Sequence, residues 1–373
     1  MSEESLFGID QILDNLKSFW SRAGQTATTE RSISHACLSN LIIYTENLAD
    51  EDVLSKIVAE FVQKHPCRAI VILAQPSEKS PKLQATVSTH ESSIGAHHMV
   101  ACEQITLRVN GPSLDELSSA IQALLVPDLP IYLWWRGVFL NQKALLEKML
   151  PFVTRFIYDG VTWTNLLHTV PEVSNYFQRF AGTVAFTNFN WSRLRPWREY
   201  TADFFDPGAF QKEIWDLNHV RVEYMALPGF EEGYRFRALL YVAWLAAQLE
   251  WKPLESVPDS KTSLLRFRSS KGATVETELA LLPQSSPGSQ SIQRIVMSIQ
   301  QPGHNQDFVI ERDHKQHLMV LSTKLDGTSS VFRTVPHADS SNADLLYREL
   351  GRRVRNHVFE KAFKMAARLI PTI

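Results

Sequence analysis

Residues 40–45 (NLIIYT), 51–63 (EDVLSKIVAEFVQ) and 68–74 (RAIVILA) decide the fold of this chain. The first and third are short apolar runs typical of buried strands, and the segment between them carries apolar residues at helical spacing. A strand, a helix and a second strand in this order predict a βαβ unit with parallel strands and a right-handed crossover.

The same alternation continues to about residue 160. Further strands are predicted at 83–89, 99–109, 131–135 and 155–159, and further helices at 113–125 and 141–150. We therefore expect an α/β domain over residues 35–165, with a mostly parallel sheet flanked by helices. An amphipathic helix is predicted over residues 8–22, within an N-terminal segment 1–34.

The second half of the chain has a different pattern. Helices are predicted near 171–180, 196–205 and 234–250, and strands at 263–268, 274–282, 291–300, 307–311, 317–323 and 329–335. Consecutive strands joined by Gly, Pro and Ser turns indicate an antiparallel sheet. A long terminal helix over 342–369 completes an expected α+β domain at 166–373, although segment 252–262 is an alternative boundary.

Composition excludes several kinds of partner. The chain has 373 residues, with 38 Lys and Arg against 40 Asp and Glu, so net charge gives no drive towards nucleic acid or acidic lipid. The most apolar stretch, 238–247, is far shorter than the roughly 20 residues that span a bilayer. The first ten residues lack the features of a signal peptide. We expect a cytoplasmic protein that binds neither nucleic acid nor membrane.

The usual motifs of nucleotide and hydrolase chemistry are absent from the sequence, which has no GxGxxG, GxxxxGK[ST], GxSxG or HExxH. His90, Glu91, His97 and His98 form the densest group of metal-ligand types, but adjacent histidines on a strand point to opposite faces. A polar hairpin loop is the better interpretation. We predict no metal, no cofactor and no catalytic residues.

Three cysteines, Cys37, Cys67 and Cys102, have neither CxxC nor zinc-ligand spacing, which favours a reducing compartment. Cys67 lies between His65 and Arg68, whose positive charge would lower the thiol pKa and favour redox activity. The alternative is a small buried side chain at the start of a core strand.

Aromatic and arginine side chains concentrate in residues 190–199 (NWSRLRPWRE). Candidate binding residues there are Trp191, Arg193, Arg195, Trp197 and Arg198. Pro196 places this group at the start of a helix. The group could anchor a protein interface, hold a phosphate or carboxylate, or brace the interior with its indoles buried.

A second group, Trp134, Trp135 and Arg136, stands at the end of a predicted strand. In an open parallel sheet this carboxyl end is where ligands bind. Successive strand residues face opposite ways, so we expect at least one indole in the core. The terminal helix interleaves many Lys and Arg with its apolar stripe, which is typical of a solvated face.

Four motifs together resemble the glucose-6-phosphate dehydrogenase assembly protein family, OpcA. They are HPCR at 65–68, CEQI at 102–105, PDLP at 127–130 running into LWW at 133–135, and NWSRLRPWR at 190–198. The resemblance covers residues of about 35 to 360. One departure precedes the last motif, where Asn188 and Phe189 replace an expected acid and leucine.

The resemblance implies a non-enzymatic protein that binds and activates the glucose-6-phosphate dehydrogenase oligomer of the oxidative pentose phosphate pathway. In cyanobacteria it further implies redox control of that enzyme, with thioredoxin as a possible second partner for the thiols. Two rivals remain open: a sugar-phosphate-binding enzyme or sensor that uses the arginine cluster as a phosphate clamp, and a purely structural scaffold.

Overall fold

The computed structural model describes residues 32–35, 37–94, 98–206, 210–254, 263–283, 291–351 and 355–372. The chain divides into two compact units. The first contains residues up to Asp159 together with Arg179–Thr187 and Ser340–Arg355, and the second contains Gly160–Gln178, Asn188–Asp339 and Asn356–Ile373. Each unit is thus built from three segments, whereas the sequence predicts one boundary near residue 165.

The strands are β1 Ser32–His35, β2 Asn40–Thr45, β3 Arg68–Gln75, β4 Lys82–Ile94, β5 His98–Asn110, β6 Ile131–Trp135, β7 Arg155–Tyr158, β8 Ala185–Asn188, β9 His219–Tyr224, β10 Lys252–Pro253, β11 Ser263–Arg268, β12 Thr274–Leu281, β13 Ile292–Gln301, β14 His304–Asp313, β15 Leu318–Leu325 and β16 Thr328–Pro336. The α-helices are α1 Glu51–Val62, α2 Leu117–Leu124, α3 Lys143–Met149, α4 Leu166–Arg179, α5 Phe189–Arg193, α6 Arg195–Phe205, α7 Glu231–Gln248, α8 Asn342–Leu350 and α9 His357–Leu369. The predicted helix over residues 8–22 lies outside the described part of the chain.

The first sheet confirms the predicted βαβ unit. Its strand order is β5-β3-β2-β6-β7-β8, with β4 and β1 also paired to β5. Strands β5, β3, β2, β6 and β7 are parallel to their neighbours along this path, and β4 runs antiparallel to β5. Every residue of β2 is buried because a central parallel strand is covered on both faces.

The chain changes direction across this sheet at β2. Strand β3 lies on one side of β2, and β6, which comes later in the chain, lies on the other. This order is that of the doubly wound dinucleotide-binding sheet, in which ligands bind beyond the carboxyl ends of the strands at the reversal point. In this chain that point is the edge formed by the ends of β2 and β6.

The second sheet has the order β10-β11-β12-β9-β13-β14-β15-β16. All neighbouring pairs are antiparallel except β12 and β9, so the predicted fold class, an α/β part with an antiparallel α+β part, is confirmed. Helix α7 is buried nearly all round, as its composition predicts, and contacts β9 and β12. Strand β9 was not predicted, although its sequence HVRVEY alternates between half-buried and buried positions.

The prediction of one long terminal helix is wrong. Helix α8 ends at Leu350 and is followed by Gly351, and α9 begins after Asn356, whose side chain accepts a hydrogen bond from the Phe359 N–H at 3.0 Å. An asparagine that caps the backbone in this way starts a new helix. Of the helices that the structure describes, none is long and apolar enough to cross a bilayer.

Candidate functional site

The segment before the tryptophan motif is fixed by one asparagine. Asn188 ends β8, and its side-chain oxygen accepts hydrogen bonds from the N–H of Asn190 at 2.8 Å and of Gly160 at 3.2 Å. It therefore caps α5, because a short amide at this position satisfies backbone donors that the helix leaves free. This is the position where the sequence departs from the family pattern, and the departure supplies a good cap.

Trp191 is a buried brace. Its side chain is 2% exposed, and the guanidinium carbon of Arg198 lies 3.3 Å from its ring centroid. Arg198 also donates from Nη1 to the Trp191 carbonyl at 3.1 Å, and the ring of Phe359 lies 5.5 Å away. A cation over an indole face in a desolvated place is a strong contact. Arg198 therefore packs against the Trp191 ring and helps to fix its position.

The remaining members of the motif divide by exposure. Trp197 is 3% exposed, whereas Arg195 is exposed and forms an ion pair with Glu199 at 2.7 Å within its own helix. Arg193 is half-buried, with its guanidinium carbon 5.7 Å from the Phe189 ring centroid. Both indoles are buried, as the alternative of an interior brace predicts. Partner contact through the arginines stays a prediction, and their separate engagements give no support to a phosphate clamp.

A polar network behind the motif was missed by sequence reasoning. Asn190 donates from Nδ2 to the Gly233 carbonyl at 3.2 Å, and Arg237 donates from Nε to the Asn190 side-chain oxygen at 2.9 Å. Gly233 is required there, since a Cβ would lie 2.1 Å from the Val161 carbonyl oxygen. These bonds tie α5 to α7. The only sequence signal was a glycine inside an apolar helix pattern.

The second predicted group stands at the reversal point of the first sheet. Trp134 and Trp135 are both 1% exposed, so both indoles, rather than one, belong to the core. The Trp135 ring stacks on Tyr44 with centroids 3.9 Å apart, and the Arg136 guanidinium carbon lies 5.1 Å from the Trp134 ring. The tryptophans therefore join β6 to β2 and leave only Arg136 beyond the strand end.

Arg136 is committed to a carboxylate. Its Nε lies 3.0 Å from Oδ2 of Asp50, which also accepts from the Thr45 hydroxyl at 3.0 Å, while Oδ1 accepts from the Asn47 amide at 3.0 Å. Asp50 directly precedes α1, whose first turn carries the acids Glu51 and Asp52. In a dinucleotide-binding sheet this turn would be glycine-rich and would hold a pyrophosphate. Here the helix instead begins with three acids, of which Asp50 is paired with Arg136 and Glu51 with Arg108 at 2.6 Å.

The three cysteines lie close together near the opposite, amino-terminal ends of β2 and β3, beside β5. Arg68 donates its backbone N–H to the Cys37 sulfur at 3.2 Å, and a backbone hydrogen bond from Cys67 reaches Cys102. Burial raises the pKa of Cys37, raises that of Cys67 well above its usual range, and raises that of Cys102 to about 11. Of the two alternatives for Cys67, the structure supports the small buried side chain, because desolvation raises the pKa of its thiol.

The histidine group contains no metal site within the described ranges, where no cluster of three or more His, Cys, Asp or Glu side chains could hold an ion. His90 pairs instead with Gln104 at 2.8 Å, and Gln104 donates to Ser55 at 3.0 Å. His97 lies outside the described residues. The two strands around it, β4 and β5, form the predicted hairpin.

These features define a class: a protein with a dinucleotide-type parallel sheet, a second mostly antiparallel sheet, and an acidic helix start at the usual phosphate position. The chain matches the models of both domains of the family described as a glucose-6-phosphate dehydrogenase subunit. Residues 58–175 match the N-terminal domain, and residues 184–363 match the C-terminal domain. The chain belongs to the OpcA family.

Relatives in cyanobacteria agree with this assignment. The chain is similar to the OxPP cycle protein OpcA of Synechocystis sp., with 27% identity over 250 residues that cover 66% of this chain and 50% of that protein. It is similarly related to OpcA of Synechococcus elongatus, with 28% identity over 258 residues, 66% of this chain and 54% of that protein. The chain thus spans about half the length of the curated relatives it matches.

Solved structures give only a distant likeness. A dehydrogenase from Chromobacterium violaceum superposes with a TM-score of 0.49 at 12% identity, over 90% of this chain and 95% of that one. These values are too low to carry an argument about fold or activity.

Proposed function

We propose that this chain is a non-enzymatic partner of glucose-6-phosphate dehydrogenase, which it binds and either activates allosterically or assembles within the oxidative pentose phosphate pathway. Membership of a family described as a subunit of that enzyme supports the proposal, as do relatives named for the OxPP cycle. The role needs no cofactor of its own. We place it in the cytoplasm, where three free thiols would stay reduced.

One observation carries the non-enzymatic part. The sheet has the strand order of a nucleotide-binding fold, but helix α1, which follows β2 at the reversal point, begins with Asp50, Glu51 and Asp52 where that fold has glycines. Arg136 and Arg108, the cations beside these acids, are engaged by Asp50 at 3.0 Å and by Glu51 at 2.6 Å, and a phosphate would have to compete with both carboxylates for them. The geometry therefore favours a protein that has the strand order of a dinucleotide-binding sheet without its glycine-rich phosphate turn.

Activation then follows from differential affinity. A chain that binds the active conformation or assembled oligomer more tightly than the other states shifts the enzyme towards it. Coupling of this kind is typically worth about 1–3 kcal/mol, which is roughly 5- to 150-fold in affinity. Because the coupling is reciprocal, glucose 6-phosphate should strengthen binding between the two proteins by the same factor.

The test is to mix the purified chain with the dehydrogenase of its own organism. We expect co-elution on size exclusion, and a dissociation constant by calorimetry that falls when saturating glucose 6-phosphate is present. Absence of any complex would refute the proposal. If a complex forms and its dissociation constant does not change with glucose 6-phosphate, the assembly role is kept and allosteric activation is excluded.

Redox control through thioredoxin is the finer part of the proposal. Thiol exchange requires an accessible sulfur and thiolate character, and the pKa of each cysteine is raised by burial. Cys37 is half-exposed, while Cys67 and Cys102 are buried. We therefore assign exchange with thioredoxin to Cys37. If Cys37→Ser leaves the response of activation to oxidised and reduced thioredoxin unchanged, this assignment fails.

A further inference from the structure

Helix α9 has a buried face and an outward face of distinct chemistry. The buried face consists of Phe359, Ala362, Phe363, Ala366 and Leu369. The Phe363 ring packs 4.6 Å from Phe177 and 6.0 Å from Phe236, so the helix is held firmly against the rest of the second unit. Its outward face is consequently presented in a fixed orientation, as a preorganised binding surface requires.

Three cations follow one another along that outward face. Lys361, Lys364 and Arg368 are exposed, and their spacing of three and four residues places them on adjacent turns of the same side. From first to last the row extends about 10 Å at the helical rise of about 1.5 Å per residue. We name these three residues the α9 cation row.

The α9 cation row is unpaired among the residues that the structure describes. Within the described ranges no carboxylate lies within ion-pair distance of its members, whereas Arg195 and Lys271 of the same unit are each paired, at 2.7 Å and 2.5 Å. Three successive cations without one form a local positive surface on a chain whose net charge is −2.

An apolar ridge borders the row. Val358 is 43% exposed, and Met365, seven residues later, is half-buried on the same side of the helix. Methionine and arginine are among the residues enriched at protein interfaces, so Met365 beside Arg368 fits such a role. Phosphate backbones offer no apolar surface in return, and the chain as a whole lacks the basic character of a nucleic-acid-binding protein.

We propose that the outward face of α9 docks on an acidic, partly apolar surface of the dehydrogenase. Charge complementarity selects an acidic occupant, because a row of cations attracts carboxylates and repels other cations. The inference rests on the proposed function and assigns it a surface. It uses no member of the two tryptophan groups, whose indoles are buried.

The test uses the full chain and its own organism's dehydrogenase, with the dissociation constant measured by calorimetry or biolayer interferometry. The triple variant Lys361→Glu, Lys364→Glu, Arg368→Glu should raise the dissociation constant by about tenfold or more, because attraction becomes like-charge repulsion. The charge-keeping variant Lys361→Arg, Lys364→Arg, Arg368→Lys should bind as the native chain does. Native binding should also weaken as salt is raised, and the reversed variant should lose that dependence.

A matched control reverses three other exposed cations of the same unit, Arg268→Glu, Lys315→Glu and Lys324→Glu, and should leave binding within about twofold. Circular dichroism and thermal melting check that every variant is folded. Suppose that the native chain binds the dehydrogenase and the α9 variant binds it equally well, or that the control variant loses more affinity than the α9 variant. Either result would overturn the docking surface and leave the proposed function standing. The surface would also be overturned if the α9 variant lost affinity for a DNA duplex and kept its affinity for the dehydrogenase. Failure of the native chain to bind would instead refute the proposed function.

Discussion

Replacing Trp191 with alanine tests whether this residue stabilises the fold or contacts a partner. Loss of a buried tryptophan ring costs about 3–5 kcal/mol of unfolding free energy. Loss of the Arg198 contact at 3.3 Å adds about 1–2 kcal/mol. Against this, the indole N–H is buried with no partner among the described residues, and removing it regains about 1–3 kcal/mol. The opposing corrections nearly cancel, so we expect a net loss of about 3–5 kcal/mol.

Urea unfolding measures the loss. For an m value of about 2 kcal/mol/M, the midpoint should fall by roughly 1.5–2.5 M, and hydrogen exchange should rise in α5 and α9. Trp191→Phe is the matched control, because it keeps an aromatic face for Arg198 and removes the unpaired N–H, and it should cost less than about 1.5 kcal/mol. A Trp191→Ala chain that keeps its midpoint within about 0.3 M but no longer binds the dehydrogenase would refute the reasoning.

Three further substitutions test the packing of each unit. Gly233→Ala should prevent stable folding of the second unit, seen as insoluble expression or a melting temperature lowered by more than about 5 °C, because its Cβ would lie 2.1 Å from the Val161 oxygen. Asp50→Ala should lower the free energy of unfolding by about 2–4 kcal/mol in urea, since Arg136 loses its carboxylate. Burial lowers the pKa of His65, so the folded state favours the neutral imidazole. The contribution of His65 to the free energy of unfolding is therefore full above about pH 6.5 and is lost as pH falls through the folded-state pKa. His65→Gln should flatten the decline in melting temperature between about pH 7 and 5.

The first half of the fold could be predicted because its elements are local and strongly apolar. Strand β2 and the first residues of β3 begin where the sequence places them, since a run of β-branched residues between polar ends has few alternatives. The prediction of one long terminal helix was wrong because it depended on the apolar pattern alone. Its apolar stripe continues through the break, and the stop depends on Gly351 and the Asn356 cap, which periodicity does not weigh.

Sequence alone could not choose between the alternatives for the tryptophan groups, because exposure decides between them. Tryptophan and arginine are enriched at interfaces, but the same pair forms cation and ring contacts inside a domain. Sequence alone could not show that Arg198 lies over Trp191 or that Asn190 is bound by Arg237, because both contacts depend on how distant segments meet. The raised thiol pKa values were missed likewise, since burial depends on tertiary packing.

Burial of both tryptophan groups limits how this chain can grip a partner. An interface anchored by indoles owes its strength to apolar area and changes little with salt. A surface such as the outward face of α9 depends on charge, which speeds association and weakens as ionic strength rises. The two routes respond differently to mutation. Indole substitutions should reduce complex formation only in proportion to the fraction of chain that unfolds, whereas reversal of Lys361, Lys364 and Arg368 should reduce it with the melting temperature unchanged. Measuring both quantities on the same variants therefore identifies which residues support the fold and which contact the enzyme.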